Sequence, residues 1–406
     1  MSSNTATTKT QNINQKQGLL SEIITLLKTN IREYGMYIAL VAIIAYFSIV
    51  TRENFISSRN ISNLINQTGY IAVLAVGMTL ILIIKHIDLS VGFVAGFLGA
   101  VAAIIMTKAG LSEWLAIPIV LVIGTVIGLI YGALVAKVGV PAFVVTLAGM
   151  MIFRGMLLLV TEGTGTIIVP NKGFNQIGNG YIPDIANGNY HILTLLIGLI
   201  GIVFMIYSQI KTRKNALKYN FQVISTPIFI MKLIFISGVF GYIIMILAGH
   251  KGLSWTVMIV AFVVLIYNFV MNKTPLGRHI YGIGGNDQAA ELSGINVKKV
   301  TIFVFASMST LAALSGILFT SRLQSATTTA GTGFELDAIA AAYVGGVSAN
   351  GGIGKVTGSI VGAFVMMSLT NGMNLLGVGI SYQYAIRGII LVLAVIFDIT
   401  TRKKKA

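Results

Sequence analysis

The residues of this sequence that could do chemistry are few and widely scattered. There is no cysteine, which excludes disulfides, thiolate metal sites and cysteine nucleophiles. The stretch 351–356 is glycine-rich like a phosphate-binding loop. When Gly354 and Lys355 are aligned with the end of that motif, however, Ala349 stands where its first glycine belongs and Val356 replaces serine or threonine. The four histidines show no pair at the spacing of helical metal ligands: His86, His191, His250 and His279. The sequence therefore predicts no metal and no cofactor bound by this chain, and it disfavours an enzyme.

A second group of polar residues lies within or beside oily segments. Charges inside a membrane are costly unless they face protein or water, so these residues are candidates for a translocation path. For Asp88 two readings stay open, an N-cap of the next segment or a pore-facing carboxylate, and a salt bridge from Lys85 would favour the first. For the asparagines the alternatives are the path and interhelical hydrogen bonding. The candidates are Asp88, Arg154, Glu335, Asp337, Asn371 and Asn374.

The charged members of this group constrain the solute. Arg154 falls near the middle of an apolar run and is expected to face the interior, with Glu335 or Asp337 as its partner. Two acids at i and i+2 point in different directions on a helix, so one can line the path while the other caps. Few formal charges remain inside, and neutral amides suit an uncharged, hydroxylated solute.

One sizeable polar loop, residues 273–299, separates two oily segments. Pro275 and Gly277 are expected to end the preceding helix. Asn286 can cap a new helix of roughly seven residues, and Gly294 suits the left-handed position that ends it. So short a helix is unstable alone and must dock onto this chain or a partner.

Composition defines the setting for these residues. The chain has 406 residues, of which 55% are hydrophobic and only 10% charged, and a mean hydropathy of +0.87. This predicts an all-α polytopic membrane protein. The apolar runs indicate about ten transmembrane helices plus a short broken or re-entrant helix pair near 336–376. The transmembrane domain is expected to span 31–400.

Basic residues predict the orientation. Most fall in segments that lie inside if both termini are cytoplasmic. On that basis the net charge of +16 reports topology and not nucleic-acid binding. Residues 1–30, polar and without an apolar core, are expected to be a disordered cytoplasmic tail. The remaining expected segments are a basic cytoplasmic loop at 211–226, an extracytoplasmic loop at 161–190 and a basic cytoplasmic tail at 401–406.

Several motifs add a resemblance to this topology. The motif Gly-Gly-Asn-x-x-Ala-Ala-x-Leu-Ser-Gly-Ile at 284–295 resembles the coupling helix of sugar ABC-importer permeases of the ribose, xylose, arabinose and galactoside family. Blocks at 87–92, 141–147 and 335–352 are similar to the same family, although Lys85 and His86 replace its usual small neutral residues. The similarity runs from about residue 54 to 397. Its interruption at about 185–250 resembles the xylose and multiple-monosaccharide branch.

The resemblance implies partners and a coupling surface. In that family the helix seats in a groove of a tandem cytoplasmic ATPase, for which small Ala289 and Ala290 permit close approach and Leu292 offers an apolar plug. The family also implies a homodimeric pore in the bacterial plasma membrane and an extracytoplasmic sugar-binding protein. The implied coupling residues are Gly285, Asn286, Ala289, Ala290, Glu291, Leu292, Ser293 and Gly294.

Two other classes of function stay open from the residues alone. An ion-coupled secondary sugar transporter would need a titratable site within the membrane, which Asp88 with Arg154 could supply. A membrane-embedded enzyme would need a nucleophile with a base, or a metal cluster, and the scattered histidines disfavour it. Sensitivity of uptake to an ionophore separates the secondary transporter from an ATP-driven one.

Overall fold

The computed structural model describes residues 31–162, 165–186, 188–221 and 223–403. The tail expected over 1–30 lies outside these ranges, as do residues 404–406 of the basic tail. The described chain is helical apart from two short strands, β1 (Thr166–Ile168) and β2 (Ser325–Thr327). Its helices are, in chain order, α1 (Ile31–Val50), α2 (Ser58–Ile83), α3 (Val91–Thr107), α4 (Glu113–Ala133), α5 (Ala142–Thr161), α6 (Lys172–Asn179), α7 (Ile192–Lys218), α8 (Thr226–Ala248), α9 (Trp255–Lys273), α10 (Pro275–Gly285), α11 (Asp287–Leu292), α12 (Val297–Leu323), α13 (Phe334–Val344), α14 (Val356–Leu375) and α15 (Ile380–Lys403).

Nine helices of the described ranges are long and apolar enough to cross a membrane. They are α2, α4, α5, α7, α8, α9, α12, α14 and α15, while α1 and α3 are shorter apolar helices. The chain is therefore an all-α, multi-pass membrane protein, as its composition predicts. The short helix pair expected near 336–376 is α13 and α14. The 11 residues of α13 cover about 16 Å, half of the roughly 30 Å that a crossing helix must span.

Helices α2 and α12 form the centre of the bundle. Of the most apolar window of each, 83% of α2 and 72% of α12 is buried, against 6% for α7 and for α8. A helix that is apolar on all sides belongs either inside a bundle or against lipid. Helices α7 and α8, which lie in the interrupting piece at 185–250, therefore form a lipid-facing pair at the periphery.

Glycine ladders set how closely the central helices approach. A methyl group on Gly128 of α4 would lie 2.3 Å from the carbonyl oxygen of Phe305 on α12, and one on Gly132 would lie 2.6 Å from the Cα atom of Ile302. Side chains larger than hydrogen would push the two helices apart, which is the close packing that GxxxG spacing predicts. A second ladder, formed by Gly354, Gly358 and Gly362, does the same for α14, where Gly362 abuts the backbone of α13.

Two helices of the bundle begin near its middle and not at a surface. Ala95 and Gly99 of α3 pack against Gly316 and Thr320 of α12, so the two helices run parallel. At 1.5 Å per residue, the start of α3 then lies roughly 20 Å along α12. Before it, residues 84–90 run without regular helix from the end of α2. Lys85, His86 and Asp88 predict a connection between the two segments here, but not that it ends inside the bundle.

The second break mirrors the first. After α12 the chain forms β2 and returns through residues 328–333 to the start of α13. The carbonyl oxygen of Gly331 would lie 2.3 Å from a methyl group on Gly92, so α13 begins beside the first turn of α3. The turn after α13 contacts the end of α2, where Gly352 donates its N–H to the carbonyl of Ile83. Helices α3 and α13 thus start together and run toward opposite ends of α12.

Two connecting segments differ from their predicted form. The 161–190 segment carries β1, which pairs antiparallel with β2, and helix α6. The basic run at 211–218 continues α7 to Lys218 and is not a loop. Arg213 in this part of the helix donates to the carbonyl of Ile224 at 2.7 Å and lies over the ring of Phe229, which ties the end of α7 to the start of α8.

Candidate functional site

Helix α11 is capped at both ends as its sequence predicts. The side chain of Asn286 accepts a hydrogen bond from the N–H of Ala289 at 3.0 Å. At the other end Gly294 has φ +85°, and the N–H of Ile295 donates to the carbonyl of Ala290 at 3.0 Å. This C-terminal pattern is a Schellman motif. The caps satisfy backbone groups that a helix of 6 residues would otherwise leave unpaired.

The two faces of α11 are unlike each other. Leu292 is 90% exposed whereas Ala290 is only 5% exposed and packs into the core of this chain. The expectation that Ala290 faces a partner is therefore wrong. Its side chain packs against this chain and anchors α11 to the bundle. The surface that α11 offers consists of the other coupling candidates, all exposed: Gly285, Asn286, Ala289, Glu291, Leu292, Ser293 and Gly294.

Helix α10 directly precedes α11. Residues 275–285 are expected to form a loop, and they form this helix instead. Pro275 begins this helix, since proline is favoured in a first turn where its missing N–H costs nothing. Thr274 caps the same turn by accepting from the N–H of Gly277 at 3.3 Å. The preceding helix does end at Lys273, as expected, but the chain turns directly into a new one.

His86 lies on the same side of the molecule as α11. Its ring is 5.9 Å from that of Phe305, centroid to centroid. Burial lowers the pKa of the His86 imidazole, and the Asp287 carboxylate opposes the shift. Lys85 donates to the carbonyl of Gly285 at 3.3 Å, and among the described residues it forms no salt bridge to Asp88.

Asp88 lies in the first break of the bundle and is 0% exposed. One carboxylate oxygen accepts from the N–H and the hydroxyl of Ser90, at 2.9 and 2.6 Å. The other accepts no hydrogen bond from the described part of the chain. Ser90, not Asp88, is the residue that precedes α3, so Asp88 stabilises the turn that leads into the helix and does not cap it.

Glu335 brings a second carboxylate to the same place from α13. Its Oε2 atom would lie 2.3 Å from a methyl group on Gly92, in the first turn of α3. The start of a helix favours negative charge, which accounts for a carboxylate there. Within the described residues this oxygen also lacks a hydrogen-bond donor. The two breaks therefore place Asp88 and Glu335 at the start of α3.

Asp337 pairs with a residue that the sequence does not single out. Its Oδ2 atom lies 3.1 Å from a guanidinium nitrogen of Arg387 on α15. Arg387 also donates to Gln383, whose amide donates to the Oδ1 atom of Asn374 at 2.8 Å. These four residues form one polar chain between α13, α14 and α15. Gln383 and Arg387 stand at i and i+4 in an oily segment, a spacing that could have identified them.

Asn371 and Arg154 lie apart from that polar chain. Asn371 forms a reciprocal amide pair with Asn60 of α2, at 2.8 and 3.1 Å. Such a pair is the interhelical hydrogen bonding that is one of the two alternatives for Asn371. Arg154 is exposed on α5, over the ring of Phe93 at 5.6 Å. The expected pairing of Arg154 with Glu335 or Asp337 is wrong for the described residues, because Arg387 occupies Asp337 and the Oε2 atom of Glu335 has no donor.

A polar cavity of about 660 Å³ opens at the end of the bundle that holds Asn60. It lies between the α1–α2 connection, the turn after α8 and the end of α14. Uncharged hydrogen-bonding residues form much of its wall, with Arg52, Arg59 and Lys251 around them. Its position continues the line of polar residues on α14 toward the surface.

Comparison with known proteins gives a consistent relationship. Residues 60–395 match the family described as branched-chain amino acid transport system / permease component. The chain is 39% identical to the xylose transport system permease protein XylH of Haemophilus influenzae, over 92% of this chain and 98% of that protein. Identity to XylH of Escherichia coli (strain K12) is 37%, over 92% and 93%.

Ribose permeases are also similar to this chain. Identity to the ribose import permease protein RbsC of Haemophilus influenzae is 36%, over 90% of this chain and 93% of that protein. No solved structure matches. The extent of the match, together with the membrane-spanning bundle, shows that the chain belongs to this family of sugar ABC-transporter permeases and is a transport subunit, not an enzyme.

Proposed function

We propose that this chain forms the transmembrane pore of an ATP-driven importer for a monosaccharide, xylose or a related pentose or hexose. The observation that carries the proposal is the 39% identity to a xylose permease along 98% of that protein. Two copies of the chain form the pore, with both termini in the cytoplasm. A separate cytoplasmic ATPase with tandem nucleotide-binding domains supplies the energy, and an extracytoplasmic binding protein delivers the sugar. The chain itself binds no cofactor.

The geometry of α11 supports a cytoplasmic partner. Leu292 is 90% exposed at the end of a helix that both caps hold rigid. An apolar side chain held out in this way favours a complementary groove, because burying it contributes about 1.5–3 kcal/mol. Ala290 fixes the other face of the helix to this chain. A force applied to Leu292 would therefore reach the bundle.

The polar chain between α13, α14 and α15 supports an uncharged solute. Asp337 and Arg387 neutralise each other at 3.1 Å, and Asn374 and Gln383 contribute neutral amides beside them. A charged solute would require an opposing formal charge on its route. Amide donors and acceptors match the hydroxyl groups of a sugar.

Transport by the purified complex tests the proposal. The test uses proteoliposomes that contain this chain and its ATPase, with the ATPase facing the lumen. They should take up labelled xylose only when ATP is enclosed in the lumen and sugar-loaded binding protein is present outside. Unlabelled pentoses and hexoses as competitors identify the preferred sugar. Uptake that needs no ATP and collapses with an ionophore would favour the ion-coupled transporter instead.

A point variant tests the docking of the ATPase. Leu292→Ser should weaken its co-purification roughly ten- to a hundredfold, which is the affinity equivalent of one buried leucine. Gln288→Ser, also exposed on α11, is the matched control and should leave co-purification unchanged. Equal retention in both variants would contradict the assignment of α11 as the docking helix.

A further inference from the structure

Three separate segments of the chain meet through their backbones beside α11. They are the end of α2 with the first residues after it (Ile83 and Lys85), the last turn of α10 (Gly284), and the turn between α13 and α14 (Gly351 and Gly352). We call this contact the glycine junction. Gly352 donates its N–H to the carbonyl of Ile83 at 2.9 Å. Lys85 reaches from the first segment to the second by donating to the carbonyl of the residue after Gly284, at 3.3 Å.

The junction has no room for side chains. A methyl group on Gly284 would lie 1.9 Å from the carbonyl oxygen of Ile83 and 2.6 Å from the nitrogen of Gly352. One on Gly351 would lie 2.8 Å from the same carbonyl oxygen. Gly351 and Gly352 also have φ of +74° and +70°, which glycine adopts without strain. Backbone in direct contact leaves no rotamers to absorb a displacement, so movement of one segment must move the others.

Each segment leads directly to a functional part of the molecule. The end of α2 continues into residues 84–90, the break that holds Asp88. The glycine turn follows α13, the half-helix that carries Glu335 and Asp337. The last turn of α10 is joined to α11 through Asn286 alone. The junction therefore connects α11 to both breaks of the bundle at once.

We propose that the glycine junction transmits movement of α11 to the two broken segments, so that ATP hydrolysis by the partner opens and closes the path at the start of α3. This inference rests on the proposed function. A packed contact with discrete arrangements is the kind of element through which two sites can be coupled. Gly284 acts here as a positioning residue, since it touches neither the ATPase-facing surface nor the sugar.

Gly284→Ala, compared with Gly282→Ala, tests the proposal. Both changes add one methyl group to α10, but at Gly282 the nearest atom is the side chain of Ile295 at an ordinary 3.6 Å. The assay uses the complete complex in proteoliposomes and measures co-purified ATPase, sugar uptake and the stimulation of ATP hydrolysis by loaded binding protein. Gly284→Ala should keep the ATPase bound and reduce stimulation about five- to tenfold, a usual size for coupling between sites. Gly282→Ala should match the wild type in all three measurements.

The outcomes separate the junction from the proposed function. If the wild type itself shows no ATP-dependent uptake, the proposed function fails. If the wild type transports and Gly284→Ala stimulates hydrolysis equally well, or Gly282→Ala loses as much, the junction is not the link. Should size-exclusion show that Gly284→Ala does not fold, Lys85→Met decides, because it removes the hydrogen bond to the α10 carbonyl, with the charge, and keeps an unbranched side chain of similar length. Stimulation should then fall in Lys85→Met, and wild-type stimulation there overturns the proposal.

Discussion

At the scale of single residues, Asp337 and Arg387 show how the bundle accommodates two opposite charges as a pair. Asp337 and Arg387 are both largely buried, with side chains 7% and 14% exposed. Removing one partner of such a pair strands the other charge in a medium that cannot solvate it. Arg154 contrasts with them, since it is exposed on α5. Both arginines stand in apolar runs of the sequence, but only Arg387 is largely buried and needs a charged partner.

Arg387→Gln should therefore destabilise the protein by about 3–5 kcal/mol, the usual cost of breaking a buried ion pair. The double variant Asp337→Asn/Arg387→Gln should be less unstable than this single variant, because no charge is left unpaired. Thermal unfolding in detergent, followed by size-exclusion, measures both. Arg154→Gln serves as the exposed control and should unfold like the wild type. If the double variant is destabilised by as much as Arg387→Gln and Asp337→Asn alone added together, the two residues do not stabilise each other as a pair.

Asn371 poses the same question for neutral groups. Its reciprocal pair with Asn60 favours the interhelical role over the path. Asn371→Leu should lower the folded yield, because an unsatisfied buried amide costs about 1–3 kcal/mol. Sugar uptake per folded molecule should stay at the wild-type level. The double variant Asn60→Leu/Asn371→Leu should recover part of the folded yield, since neither amide is then left unpaired. If uptake per folded molecule falls in Asn371→Leu, Asn371 lines the translocation path instead.

At the scale of elements, short helices in this molecule depend on their ends. Helix α11 has 6 residues and cannot form alone, so its caps and the burial of Ala290 hold it. Helix α13 is stabilised instead by glycine contacts with α14. The caps are local and follow from sequence, whereas the contacts of α13 depend on segments far along the chain.

The C-terminal cap of α11 is open to a direct test. At Gly294, with φ +85°, valine costs more than about 1 kcal/mol because its Cβ atom clashes in the left-handed region. Gly294→Val should therefore loosen α11 and reduce co-purification of the ATPase. Gly294→Asn should retain it, because asparagine also serves at this position. Full retention in Gly294→Val would show that the cap does not position the docking surface.

At the scale of the whole molecule, the distribution of basic residues predicts which side of the membrane each end of the bundle faces. Lys214 near the end of α7 and Lys172 at the start of α6 are both exposed, and the predicted orientation puts them on opposite sides. The chain has no cysteine, so Lys214→Cys and Lys172→Cys each give a single labelling site. In intact cells an impermeant thiol reagent should label Lys172→Cys only. Labelling of Lys214→Cys would reverse the orientation.

The features that sequence predicts here are those set by neighbouring residues or by the membrane. Apolar runs predict the spanning helices because lipid demands long, internally hydrogen-bonded segments. Asn286 and Gly294 predict both ends of α11 because a cap acts within a few residues of its helix. The glycine ladder of α4 likewise predicts close packing, and the motif at 284–295 identifies the family before any contact is known.

Tertiary structure alone decided which of these residues meet. Asp337 binds Arg387 and not Arg154 because α15, rather than α5, packs beside α13. Ala290 faces inward because α10 continues as a helix and turns α11 onto the bundle. The polar residues at 85–88 mark a connection between two oily segments, but hydropathy does not record that this connection ends inside the bundle, where α3 begins. The glycine junction joins residues about 70 to 270 positions apart, and only folding brings their backbones into contact.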